Sequence, residues 1–143
     1  MRSDTRLSRV LHVLVHLTCD PVVYSSAQLA EMLETNSVLV RRTMAGLREA
    51  GYVRSVKGQK GGWYLCCDPD KVTLLDIYKA LGITSLYTLG INQGNHHCLI
   101  EEAVNDELDS VLAQAELLLM NKLSQITLSH LCQKYQQNKS SSD

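Results

Sequence analysis

Apolar residues return every three or four positions near the start of the chain. Leu7, Val10, Leu11, Leu14 and Leu17 form one stripe, which predicts a first helix from about Ser3 to Thr18. Asp20-Pro21 ends it. Ser25 and Gln28 then stand in capping-box relation and open a short second helix with Leu29, Ala30 and Leu33 inward. Thr35-Asn36-Ser37 is a polar break that offers N-caps to a third helix, from about Ser37 to Ala50, stopped by Gly51. On that helix Val40, Met44 and Leu47 share one face, while Ser37, Arg41 and Arg48 share another with Arg42 beside them. The period next shortens to two. Tyr52-Val53-Arg54-Ser55-Val56 reads as a strand, Lys57 to Gly62 as a glycine-rich tip, and Trp63-Tyr64-Leu65-Cys66 as the returning strand. Trp63 and Tyr64 therefore lie on opposite strand faces.

Near the other end a long helix is expected from Leu99 to about Lys122. Val104, Leu108, Val111, Ala115 and Leu118 alternate steps of four and three, and Leu112 and Leu119 widen the stripe. An apolar stripe of about 30 Å is hard to bury within a chain of 143 residues, so a symmetric homodimer is the simplest expectation; an intramolecular bundle is the alternative. The expected fold is mainly α with a small β-hairpin.

Two short helices around a turn, the second carrying cations, suggest helix-turn-helix geometry. Arginines alone would suit a solvated helix face equally well. The strand pair directly behind them changes the balance, because a hairpin in that place is a wing whose tip offers Lys57, Gln59 and Lys60 to phosphates. Composition supports this once it is resolved along the chain. The net charge is -1, yet residues up to Leu65 carry nine cations against five acids, a formal +4, and the rest carry five against ten, a formal -5. A polyanion responds to that local field. Aromatic residues make up 5% and Phe is absent, so the core must be aliphatic. No run reaches the ~18 apolar residues of a membrane span, and no secretory leader is visible, so a cytoplasmic protein is expected.

The run "SAQLAEMLETNSVLVRRTMAGLREAGYVRSVKGQKGGWYLCCDPDKVTLLDIYKAL", from Ser26 to Leu81, resembles the Rrf-two family of bacterial winged helix-turn-helix transcription regulators. "VRRTMAGLREAGYVRS", "KGGWYL" and "VTLLDIYKAL" carry most of the likeness, and the C-terminal half follows by architecture. The resemblance implies a helix from Thr73 to Leu81 and dimerisation through the long helix. Expected segments are a DNA-binding domain over 1–81, a sensor-type loop over 82–98, and a dimerisation helix with a C-terminal helix over 99–143. The expected partner is double-stranded DNA with a near-palindromic operator, bound by a homodimeric regulator, a repressor in this reading. Arg41 and Arg42 are candidates for base edges or phosphate, Thr35, Asn36 and Ser37 for phosphate at the helix start, and Lys57, Gln59 and Lys60 for the wing contact. A winged helix serving only protein interaction is the alternative.

Several relatives hold an iron–sulfur cluster on three cysteines in the loop before the long helix. Here that loop has Cys98 alone, preceded by His96 and His97, so no cluster and no other cofactor is expected. Cys98 at the start of the long helix is the candidate redox-responsive thiol. The five cysteines include no CxxC pair and are expected as free thiols, Cys19 and Cys132 as packing residues and Cys66-Cys67 as small apolar residues at a strand end. His12 and His16, four apart, are read as edge residues of the first helix, and no metal site is assigned. Cys98 beside a histidine in sequence is no catalytic geometry, so an enzyme is not expected.

Overall fold

Leu14, Leu17, Leu29, Met44, Leu47 and Ile77 meet in one aliphatic core, none more than 1% exposed. The computed structural model describes residues 4–83 and 98–142. Their order is α1 (Arg6–Cys19), α2 (Ser26–Met32), α3 (Ser37–Glu49), β1 (Val53–Val56), β2 (Gly62–Leu65), α4 (Leu74–Ala80), α5 (Leu99–Ser124) and α6 (Leu128–Ser141). This is the mainly α, winged architecture that the pattern predicts. The helix ends follow local chemistry. At the start of α1 the Asp4 carboxylate accepts from the Arg6 backbone N–H at 3.0 Å and pairs with its guanidinium at 2.7 Å, so the helix begins at Arg6. Ser25 and Gln28 complete the expected capping box of α2, and Thr73 and Asp76 form a second one at α4.

β1 and β2 are antiparallel, with Val53 opposite Leu65 and Ser55 opposite Trp63. Tyr24 adds an isolated bridge to this hairpin: its N–H donates to the Trp63 carbonyl at 3.0 Å, and its carbonyl accepts the Trp63 N–H in return at 2.7 Å. Gly62 is what lets the two backbones approach, since a Cβ there would collide with the Tyr24 carbonyl. At the far side Leu74 N–H donates to the Ile126 carbonyl and Leu128 N–H to that of Val72, at 2.9 and 3.1 Å, which seats the start of α6 beside the start of α4.

α6 packs along α1, and this corrects one expectation. Cys19 and Cys132 are not separate packing thiols. They form a disulfide with Cα atoms 5.5 Å apart, inside the ordinary range for such a bond. The two lie 113 residues apart, so no local periodicity connects them; the packing of α6 against α1 does. None of the described helices is long and apolar enough to cross a membrane.

Candidate nucleic-acid interface

The third helix owes its direction to Asn36. The Asn36 side-chain oxygen accepts the Leu39 N–H at 2.9 Å, and Val40, Met44 and Leu47 pin the other face to the core. Arg41, Arg42 and Arg48 are consequently exposed. The cap also spends the Asn36 carbonyl oxygen on the protein itself, while the neighbouring Thr35 and Ser37 are half-buried.

Arg41 and Arg42 are adjacent in sequence but line different hollows, as a step of about 100° around a helix requires. Arg41 borders a cleft of about 350 Å³ between α2 and the wing, together with Ser25, Ser26, Lys57 and Trp63. Arg42 borders another, of about 370 Å³, with Arg6 and Arg9 of α1. The structure thus brings Arg41 and Lys57 together and sends Arg42 elsewhere. Gln59 and Lys60 are exposed at the wing tip, where Gly58 takes φ 111°. Ser26, Arg6 and Arg9 had escaped the sequence reading. The arginine pair on α1 was in view as charge, but its proximity to Arg42 is tertiary.

Trp63 anchors the wing. The ring is 8% exposed, its Nε1–H donates to Ser26 Oγ at 3.0 Å, and the Arg48 guanidinium stacks 5.7 Å from the ring centroid. Arg48 is therefore tied to the wing by a cation–π contact. Tyr64, on the other strand face, is half-buried.

α5 is the second element of interest. Its 26 residues include no buried one. Of the predicted stripe, Val104, Leu108, Val111 and Leu118 are 43–62% exposed and Ala115 is half-buried. Leu99 and Ile100, at 79% and 77%, and Leu117, at 69%, extend the apolar surface beyond that stripe.

Cys98 is the N-cap residue of α5, half-buried, and its side chain makes no capping hydrogen bond. His96 and His97 lie outside the described residues. Cys66 is exposed and donates to the Gly51 carbonyl at 3.3 Å, so it is not the apolar filler expected at the strand end. Cys67 is half-buried, and burial, aided by the neighbouring Cys66, pushes its thiol up to about 11. Among the described residues no group of three or more His, Cys, Asp or Glu side chains is gathered to hold a metal ion.

A family model, "Rrf2: Iron-dependent Transcriptional regulator", matches residues 3–134. The chain belongs to the Rrf2 family. YwnA of Bacillus subtilis (strain 168), whose name marks it provisionally as an HTH-type transcriptional regulator, is 26% identical over 125 residues, 87% of this chain and 92% of YwnA. Two solved structures share the fold. A transcriptional regulator from Lactobacillus plantarum, also so titled provisionally, has a TM-score of 0.75 at 19% identity, covering 97% of this chain and 99% of that one. IscR of T. potens has a TM-score of 0.70 at 20% identity, with 94% and 88% covered. The iron in the family's description has no matching ligand set among the described residues of this Rrf2 chain: Cys98 starts α5, Cys66 and Cys67 follow the wing, and Cys19 and Cys132 are bonded to each other.

Proposed function

We propose that this Rrf2-family regulator acts as a homodimer that reads a near-palindromic operator and, by occupying it, represses. The observation that carries the reading is the shared cleft of Arg41 and Lys57, which joins the third helix to the wing. In this reading α3 enters the major groove, where Arg41 bonds bidentately to a base edge or clamps a phosphate. Lys57, with Gln59 and Lys60 at the tip, follows the backbone or the minor groove beside it. Arg42, with Arg9, holds the flanking phosphates. Thr35, Asn36 and Ser37 contribute at the helix start, where Asn36 acts chiefly by fixing the helix direction. Two copies joined along Val104, Leu108, Val111, Ala115 and Leu118 present two such surfaces to successive grooves, which is why the operator is near-palindromic.

Operator selection from random duplexes, followed by gel shifts across a salt series, tests this. Arg41→Ala with Lys57→Ala should weaken specific binding and flatten the salt dependence by about 0.9 for each phosphate contact removed. If the double variant binds the selected duplex as the parent does, the reading is wrong. Absence of any salt-sensitive, sequence-preferring binding would point instead to a winged helix that contacts proteins only.

In this reading Cys98 is the redox-responsive thiol; what supports it is that Cys98 is the half-buried N-cap residue of α5, the arm of the proposed dimer. Comparing Cys98→Ser with a Cys19→Ser, Cys132→Ser double variant separates the two thiol systems. An oxidant response of DNA binding that survives Cys98→Ser removes Cys98 from that role.

A further inference from the structure

His12 and His16 stand one turn apart on α1, their Nε2 atoms 3.1 Å from each other and their ring centroids 4.9 Å apart. Two lone-pair positions facing one point need a positive centre between them. Either one ring donates its N–H to the other, or both bind the same cation. The spacing suits the second arrangement: with metal–nitrogen bonds of about 2.05 Å, this separation subtends about 98° at the ion, between octahedral and tetrahedral angles. His12, His16 and Cys19 follow one another at steps of four and three and line the same cavity of about 170 Å³, with Val15 and Tyr135. Cys132 is bonded to Cys19, one of the residues lining that cavity.

We propose that His12 and His16 chelate a divalent first-row transition-metal ion of the zinc class, and that reduction of the Cys19–Cys132 disulfide adds both sulfurs as ligands. In the oxidised chain the two imidazoles bind the ion and water fills its remaining positions. A dithiol reductant then transfers two electrons and two protons to the disulfide, giving two thiols while it becomes a disulfide itself. Each thiol loses its proton to solvent as its sulfur binds the ion, which yields a two-histidine, two-thiolate set of the kind zinc favours. One clamp between α1 and α6, sulfur to sulfur, is exchanged for another, sulfur to metal to sulfur. This inference is independent of the DNA-binding reading, since it is read without DNA.

The test uses the untagged full-length chain, oxidised and dithiol-reduced, titrated with zinc against a chromophoric chelator and with cobalt for its spectrum. One ion per chain is expected. His12→Ala and His16→Ala should each weaken zinc binding by more than the roughly tenfold that losing an outer-sphere partner costs. A thiolate-to-cobalt charge-transfer band should appear only in reduced protein and vanish in the Cys19→Ser, Cys132→Ser double variant. Less than a tenfold loss in either histidine variant overturns the chelate. Absence of the band in reduced parent protein, or its survival in the double serine variant, overturns the thiolate ligands. Should that double variant fail to fold, the reduced parent spectrum and the two histidine variants still decide.

Discussion

α3 and α5 are both helices with apolar stripes, yet they treat those stripes in opposite ways. The thirteen residues of α3 bury Val40, Met44 and Leu47 completely or nearly so, against the rest of the winged domain. The twenty-six residues of α5 bury none, although α5 is richer in leucine. Periodicity therefore tells which residues would gather on one face, but a surface elsewhere must exist before that face is covered. For α3 the surface is supplied within the chain chiefly by α2 and β1. For α5, contact with α4 covers a minor part, and Leu99, Ile100, Val104, Val111, Leu117 and Leu118 stay more than half exposed. Burying an aliphatic side chain of this size stabilises by about 1.5–3 kcal/mol. A second copy of α5 is the covering surface that the proposed homodimer provides.

The sharpest way to break this contrast is to charge the arm. Leu108→Asp with Val111→Asp removes two apolar contacts and puts two carboxylates on the stripe. If a partner covers them, association should weaken by at least about 3 kcal/mol, more than a hundredfold in the dimer dissociation constant. Sedimentation equilibrium measures this directly, and an unchanged self-association constant would remove the stripe from the interface.

A matched pair of truncations probes the same contrast at smaller scale. Leu47→Ala empties a site that is 1% exposed and should cost about 2–5 kcal/mol of unfolding free energy. Leu117→Ala, at a site 69% exposed in the single chain, should cost under about 0.5 kcal/mol when the protein is dilute enough to be monomeric. At higher concentration its cost should grow if the arm is paired, because dimerisation stabilises the folded chain by mass action. Denaturant titrations at two concentrations separate these cases. Equal costs for both variants at every concentration would mean that α5 is packed by its own chain.

What the residues revealed beforehand divides along the same line. Local chemistry placed the elements well: the Ser25–Gln28 capping box, the Asn36 cap, the hairpin around Gly58 and the start of α5 at Leu99 each rest on neighbours a few positions apart. Contacts between distant segments were not legible. The Cys19–Cys132 bond joins residues 113 apart, and the Tyr24 bridge to Trp63 is a single pair with no alternation to announce it. The interface lies between these extremes. The cations were visible as a basic face, but grouping Arg41 with Arg42 ignored the helical turn between them. The structure regroups Arg41 with Lys57 and Arg42 with Arg9. The arm was legible as a stripe because that is a periodic property; what covers it is not written in any local pattern.

The smallest expected effect lies at the seam between the two regions. Thr73 caps α4, accepting the Asp76 N–H at 3.2 Å, while the Asp76 carboxylate accepts the Thr73 N–H at 2.9 Å. The same residue forms an isolated bridge with Thr127, the cap of α6, so one residue helps to hold both helix starts, one by its side chain and the other by its backbone. Thr73→Ala removes the hydroxyl but leaves the bridge, which is made by backbone. A capping loss of about 1 kcal/mol should follow in unfolding free energy. Because neither Thr73 nor Asp76 belongs to the α5 stripe, the dimer dissociation constant should stay within about twofold, a change of under 0.5 kcal/mol. A stability loss with unchanged self-association would show that the seam stabilises the winged domain alone. A parallel loss in both would mean that α4 transmits its position to the arm, and the two regions could no longer be treated as energetically separate.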